Sequence, residues 1–183
     1  MFYTSGAVRV LLYRNATVGH TAYYRIIQEK KMTAEHTIRK MKAEDLDVVM
    51  EIWLDTNMRA HNFISQSYWE DNVQSVRDMI SKAEVYVWEE DIGGAIRGFI
   101  GLCGNDVGGI FVSSTAQSAG IGSALIAHVK KIRQSLTLTV YEKNKRAVRF
   151  YERERFRIKS ETVDENTKEK EFIMVWKVQG QTD

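Results

Sequence analysis

The sequence predicts an α/β (α+β) fold in one domain, with strands and helices alternating along the chain. Three observations carry that expectation. Along the chain, apolar residues change from a spacing of two to a spacing of three or four and back, so strands alternate with amphipathic helices. Near the middle, a loop bearing Gly120 and Gly122 joins a short apolar run to a helical pattern. The 183 residues, 44% of them hydrophobic, suffice for one full core and are too few for two ordinary domains.

The elements follow in order. Residues 1–33 stand apart as an acid-poor segment rich in Thr and Tyr. That composition suits either an organelle transit peptide or an extension ahead of the domain. The run MTAEHTIRKMK from Met32 reads like a natural N-terminus and favours the extension, with the domain expected over residues 34–180. Residues 37–41 alternate as a strand. In KAEDLDVVMEIWLDTNMRA, Leu46, Val49, Met50, Trp53 and Leu54 recur at helical spacing behind an acidic first turn. A second helix is expected in SYWEDNVQSVRDMISKA through Trp69, Val73, Val76 and Ile80. Residues 84–89 and 96–103 read as strands joined by a turn at residues 91–94, and residues 109–112 as a buried strand. Ile121, Leu125, Val129 and Ile132 then mark one face of a helix, and Leu136, Leu138 and Val140 alternate as a strand. NKRAVRFYERE is a helix that Asn144 can cap, and residues 156–163 and 171–178 close as a hairpin.

Charge and composition exclude several partners. The formal net charge is +2, and residues 1–31 hold Arg9, Arg14, Arg25, Lys30 and Lys31 against Glu29 alone, leaving the rest slightly acidic. The pI of 8.6 therefore owes much to that segment and makes no case for a nucleic-acid partner. No apolar run reaches the roughly 18 residues of a membrane span, so no membrane partner is expected. The single cysteine, Cys103, falls in a strand-like run and reads as a core residue, which suits a reducing, cytoplasmic compartment. His20, His36 and His128 show no ligand spacing with one another or with Cys103, and no metal is expected.

The loop Gln117-Ser118-Ala119-Gly120-Ile121-Gly122 carries the chemistry. Small residues at a helix N-terminus leave backbone N–H groups unpaired beside the positive end of the macrodipole, which makes an anion site. A Walker loop would need Lys and then Ser or Thr after the second glycine, where Ser123 and Ala124 stand. A dinucleotide fingerprint would need a third glycine where Leu125 stands. The alternative is a helix start whose glycines serve only a tight turn.

The spacing Gln117-x-x-Gly120-x-Gly122 resembles the Q/R-x-x-G-x-G/A loop of the GNAT N-acetyltransferase superfamily. LTLTVYEKNKRAVRFYERERF, residues 136–156, is similar to the family's later strand-loop-helix, with Asn144, Ala147, Phe150, Tyr151 and Phe156 at the expected offsets. The order of elements over residues 37–178 is that of the family, and AHNFISQSYW, residues 60–69, resembles a bacterial subgroup of small uncharacterised acetyltransferases.

That resemblance implies the GNAT fold, a mixed central sheet of about seven strands with a V-shaped splay between strands 4 and 5, flanked by about four helices. It implies acetyl-CoA as cosubstrate. The main chain at Ile110, Phe111 and Val112 would pair with the pantetheine amides, as an added strand pairs with a sheet edge. Gln117, Ser118, Ala119, Gly120, Ile121, Gly122 and Ser123 would hold the pyrophosphate. Tyr151 would protonate the departing thiolate, or else is a plain core aromatic. Asn144 would contact the pantetheine arm, or acts solely as a helix cap.

Departures from the family pattern are also plain. Thr139 stands where many relatives carry a glutamate base, Arg155 where a glycine precedes the final Phe, and Ser114 where a loop proline is common. A replacement base could be His61, Glu142 or a water chain, while the bland reading of His61 is an exposed loop histidine. The activity expected is N-acetylation of a primary amine by direct attack in a ternary complex. A small-molecule amine is preferred as acceptor, met by His61, Phe63 and Tyr68 with Trp69 nearby. The alternatives are a protein or peptide acceptor, or a non-catalytic acyl-CoA sensor that has lost its base. The chain is expected to be a monomer or homodimer.

Overall fold

The computed structural model describes residues 36–178; the extension expected over residues 1–33 lies outside them. The chain runs through β1 (His36–Lys40), α1 (Leu46–Ala60), α2 (Gln66–Asp71), α3 (Val73–Ile80), β2 (Glu84–Glu90), β3 (Ile96–Cys103) and β4 (Asp106–Val112). It continues through α4 (Ile121–Lys130), β5 (Ser135–Tyr141), α5 (Lys145–Arg153), β6 (Arg157–Val163) and β7 (Lys170–Lys177). The strands form one seven-stranded mixed sheet in the order β1-β2-β3-β4-β5-β7-β6. Every neighbouring pair is antiparallel except β4 and β5, which are parallel.

Strand alternation divides the core between the two faces. Val85, Val87 and Phe99 pack with Val49, Met50, Ile52 and Trp53 of α1. Tyr86, Trp88, Ile100 and Leu102 point to the other face, where Ile121, Leu125, Ile126 and Val129 of α4 and Val148 and Tyr151 of α5 meet them. Leu125, Ile126 and Val129 are fully buried, and each such side chain contributes about 1.5–3 kcal/mol over leaving it in water. The start of α1 is tied to the sheet by buried Asp45, which accepts from the backbone N–H of Lys42 at 2.7 Å and from the Arg39 guanidinium at 2.6 and 3.0 Å. Arg39 also donates to Glu89 at 2.7 Å, so two carboxylates satisfy one cation.

The splay follows from the register. β4 and β5 pair only at Asp106 with Thr137 and Val107 with Leu138. Past that point β5 pairs with β7 alone, up to Tyr141 opposite Glu171, while β4 continues along β3 to Val112 opposite Gly98. Every second peptide group of β4 beyond Val107 therefore faces away from β3 toward the gap between the strands.

Three expectations are corrected, and one departure from the family pattern is accommodated. The single second helix is two, broken at Asn72, whose side-chain amide donates to the Tyr68 carbonyl at 2.7 Å and competes with the backbone ladder; the helices thus number five among the described residues. The strand expected at residues 109–112 begins at Asp106 and is half-buried, because its edge lines the splay. Cys103 is exposed rather than in the core, since it closes β3 at the turn into β4. Arg155 keeps the left-handed turn before Phe156, with φ of 64°, without the glycine that would take it freely.

Candidate active site

A cleft of about 490 Å³ opens where β4 and β5 part. Ile110 and Val112 form one wall, Gln117, Ser118, Gly120, Ile121, Gly122 and Ser123 the end, and Asn144, Ala147, Phe150 and Tyr151 the other wall. Thr56 and Ala60 of α1 border it, as do Arg146 and Arg153 of α5. The lining contains two cations and no carboxylate, which suits an anionic guest.

The loop is shaped by backbone geometry. Ser118 and Gly120 have φ of 65° and 85°, and Gly120 caps α4 with no side chain accepting from the first turn. The N–H groups that open the helix are thus left without a side-chain partner, the arrangement that binds phosphate. A Cβ built on Gly120 would meet no protein atom within 4 Å, so that glycine serves conformation and the approach of a ligand. A Cβ on Gly122 would lie 3.2 Å from the Phe150 ring, so this second glycine lets α4 and α5 pack closely. Gln117 donates to the Val112 carbonyl at 3.2 Å, and the Ser123 hydroxyl donates to Glu154 at 2.6 Å. Ala119 is exposed beside Gly120. The Phe111 ring stacks on Phe99 at 4.9 Å in the core toward α1, leaving its backbone near the splay.

Tyr151 is 8% exposed, packed against Phe150 and Phe156 at ring separations of 5.2 and 5.7 Å. Burial pushes its hydroxyl above the ordinary phenol value, so it holds its proton at neutral pH. Its hydroxyl makes no hydrogen bond to another described residue. Asn144 does two things at once. Its Oδ1 accepts from the Ala147 N–H at 3.1 Å, capping α5, and this leaves its Nδ2 as a donor 3.2 Å from His61 Nε2. His61 Nε2 is then the acceptor, and the ring carries its proton on Nδ1, a buried atom without a partner among the described residues.

His61 is accordingly not an exposed loop histidine. It stacks on Trp69 at 5.3 Å and meets Phe63 and Tyr141 edge-on at 5.7 and 5.2 Å. Burial lowers its pKa from 6.5 to about 4, so it is neutral at pH 7, with its one lone pair already bonded to Asn144. Trp69 is a core residue, edge-on to Trp53. Phe63 and Tyr141 meet edge-on at 5.7 Å beside His61, and Tyr68 lies edge-on to Trp69 at 5.1 Å, so these rings form one aromatic cluster. There the Tyr141 hydroxyl donates to Asp164 at 2.5 Å, and Glu171 sits opposite Tyr141 across β5 and β7. Burial, then Asp164 and Glu171, raise the Tyr68 phenol, which registers both carboxylates close by. Burial and then Asp164 raise the Glu171 carboxyl, and Glu171 has no ion pair among the described residues. Burial also pushes Asp164 up, but hydrogen bonds from Tyr141, Asn166 and Thr167 hold it net below the usual carboxylate range.

Of the other base candidates, Thr139 is exposed on β5 and Glu142 is ion-paired with Lys145 at 3.0 Å. Sequence reasoning missed Arg146, Tyr141, Asp164 and Glu171. Arg146 and Tyr141 lie inside the quoted 136–156 run, whereas Asp164 read only as part of a polar turn. A second concavity of about 470 Å³, at Lys40, Leu46 and Lys82, includes none of the motif residues.

A family profile described as "Acetyltransferase (GNAT) domain" matches residues 81–158. The peptidyl-lysine N-acetyltransferase YiaC of Escherichia coli (strain K12) is 35% identical over 143 residues, covering 77% of this chain and 97% of that one. The chain belongs to the GNAT acetyltransferase family. The peptidyl-lysine N-acetyltransferase YjaB of Salmonella typhimurium is 29% identical over 121 residues, covering 66% of this chain and 83% of its own. In fold, the acetyltransferase resembles the apo-form solution structure of YjaB from Escherichia coli, with a TM-score of 0.69 and 24% identity over 76% of this chain and 96% of that one. It also resembles PaiA N-acetyltransferase from Thermoplasma acidophilum in complex with coenzyme A, with a TM-score of 0.65 and 19% identity over 79% of this chain and 99% of that one. The protein is therefore an acyltransferase with acetyl-CoA as cosubstrate. Among the described residues, no helix is long and apolar enough to cross a membrane.

Proposed function

We propose that this acetyltransferase modifies the ε-amine of a lysine side chain carried by a peptide or protein, by direct attack in a ternary complex. The observation that carries the reading is the cluster of Phe63, Tyr68 and Tyr141 with Asp164 and Glu171, joined to the cleft through His61 and Asn144, where the Lys143 ammonium already lies over the Phe63 ring at 5.4 Å. Aromatic faces and carboxylates together suit an alkyl ammonium arm. The names of the relatives YiaC and YjaB support lysine as that arm. The small-molecule amine expected from the sequence fits the same chemistry and is the second reading.

Bound acetyl-CoA supplies an activated acetyl thioester. The β4 edge at Ile110, Phe111 and Val112, the loop from Gln117 through Ser123, and Asn144 hold it. Tyr151 keeps a proton at its hydroxyl for the leaving sulfur, where it is worth most as charge develops. Thr139 cannot take the ammonium proton, His61 has its lone pair engaged and Glu142 is ion-paired with Lys145. The proton would therefore leave through a water chain to solvent, past the Glu171 carboxylate, which has no ion pair among the described residues. The rate should therefore climb with pH toward the amine pKa, with no limb near 6.5 of the kind a histidine base imposes.

The test is acetylation of lysine peptides beside free diamines and amino acids, read by mass spectrometry. Peptide lysines gaining one acetyl group is the expected result. Acetylation of small amines only, at equal enzyme and acetyl-CoA, overturns the peptide reading in favour of the second.

A further inference from the structure

We propose that Arg146 is a cofactor-binding residue whose guanidinium fork takes the pyrophosphate of acetyl-CoA. The inference rests on residues 118–123 being the pyrophosphate loop. Arg146 is the second residue of α5, on the wall opposite that loop, and its side chain reaches across the cleft mouth. Its Nη1 donates to Gln117 Oε1 at 2.6 Å and its Nη2 to Ser118 Oγ at 3.4 Å. Gln117 in turn donates to the Val112 carbonyl at 3.2 Å. One hydrogen-bonded chain thus runs from α5 through the loop to the end of β4, joining the two arms of the splay.

The partners of this cation are the informative part. Both are neutral oxygens, and Arg146 forms no ion pair among the described residues, although it is always charged and carries donors in a planar fork. Its two bonds fall on the first two residues of the loop that leads into the α4 N-terminus. A pyrophosphate seated on that N-terminus offers two anionic oxygens within the same neighbourhood, and charge-assisted bonds are roughly twice as strong as neutral ones. Glu154 accepts from the Ser123 hydroxyl at 2.6 Å and forms no ion pair with Arg146. Arg153 adds a second cation to the same lining. Lysine in place of Arg146 would keep the charge and lose the fork, which makes the pair of substitutions diagnostic.

The experiment is calorimetry on the full chain with coenzyme A, dephospho-coenzyme A and, by displacement, S-acetylpantetheine, which lacks the pyrophosphate. Arg146→Ala is expected to weaken coenzyme A and dephospho-coenzyme A equally, by about tenfold, and to leave S-acetylpantetheine unchanged. Arg146→Lys should recover part of the loss, and since Arg146 is exposed the melting temperature should hold. Parent-like coenzyme A affinity in Arg146→Ala overturns the proposal. A loss that vanishes with dephospho-coenzyme A overturns it by moving the contact to the 3′-phosphate, and a loss shared by S-acetylpantetheine does so by reducing Arg146 to a loop support. Gly120→Val reports on the loop separately: unchanged coenzyme A affinity there would remove the pyrophosphate loop without touching the Arg146 measurement.

Discussion

The proposed cofactor side of the cleft is made largely by one stretch of chain, and the proposed acceptor side by several distant ones. Residues 117–123 supply the loop and helix start, with Arg146 and Arg153 beside them and no carboxylate in the lining. Across Asn144, Phe63 and Tyr68 come from the segment after α1, Tyr141 from the end of β5, and Asp164 and Glu171 from the β6–β7 turn and β7. One side is cationic and rich in backbone donors, the other aromatic with two carboxylates and the Lys143 ammonium over Phe63. In the function proposed above, the first would take an anionic cofactor and the second an amine, with Asn144, bonded to His61, between them.

The largest expected effect comes from the residue that both substrates would share. Tyr151→Phe keeps the ring and its burial but removes the proton, so turnover should fall about 10²-fold or more, with coenzyme A affinity and melting temperature nearly unchanged. A loss smaller than about threefold in steady-state assays would leave Tyr151 as packing alone.

His61, at the seam, gives the next. Its pKa is about 4 when folded against 6.5 when unfolded, so the unfolded chain binds the extra proton between those values. The stability His61 contributes is complete above pH 6.5 and is lost as pH falls toward 4. The parent should lose about 2 kcal/mol more than His61→Phe between pH 7 and 4, a figure reduced for the partial exposure of the ring. Denaturant melts across pH would measure it, and parallel losses in both proteins would show that His61 is not held neutral.

Two substitutions separate the sides directly. Gly120→Val places a branched side chain at φ of 85° and should lower coenzyme A affinity by about tenfold or more through strain and blocked approach, leaving amine KM alone. Glu171→Gln with Asp164→Asn should do the reverse, raising amine KM about fivefold, the scale of a partly exposed charge interaction, while coenzyme A binding holds by calorimetry. Any cross-effect as large as the direct one would dissolve the division.

The same contrast explains what the sequence disclosed. Gly120 and Gly122 are legible because a backbone turn and a close helix contact each demand glycine at a fixed spacing. Asn144 is legible as a helix cap and Tyr151 as an apolar-face residue of the helix behind it, while their proposed roles come only through the resemblance of residues 136–156 to the family's strand-loop-helix. Of the proposed acceptor cluster, Phe63, Tyr68 and His61 could be named from sequence because they lie within one short run. Asp164 and Glu171 join it only through the β5–β7 register, a pairing of distant segments that local spacing does not encode. His61 misled for the same reason: its burial comes from Trp69 and Tyr141, and without them a histidine after a helix reads as solvent-exposed. The broken second helix turned on one side-chain bond from Asn72 to the Tyr68 carbonyl.

The short pairing of β4 with β5 has a further consequence, for exchange of amide hydrogens with solvent. Only two residue pairs join these strands, so alternate N–H groups of the remaining β4 edge have no strand partner on the open side and should trade deuterium far sooner than those turned toward β3. A thioester arm lying along that edge would slow them selectively, which gives this acetyltransferase a built-in isotopic reporter of cofactor occupancy that needs no acceptor amine.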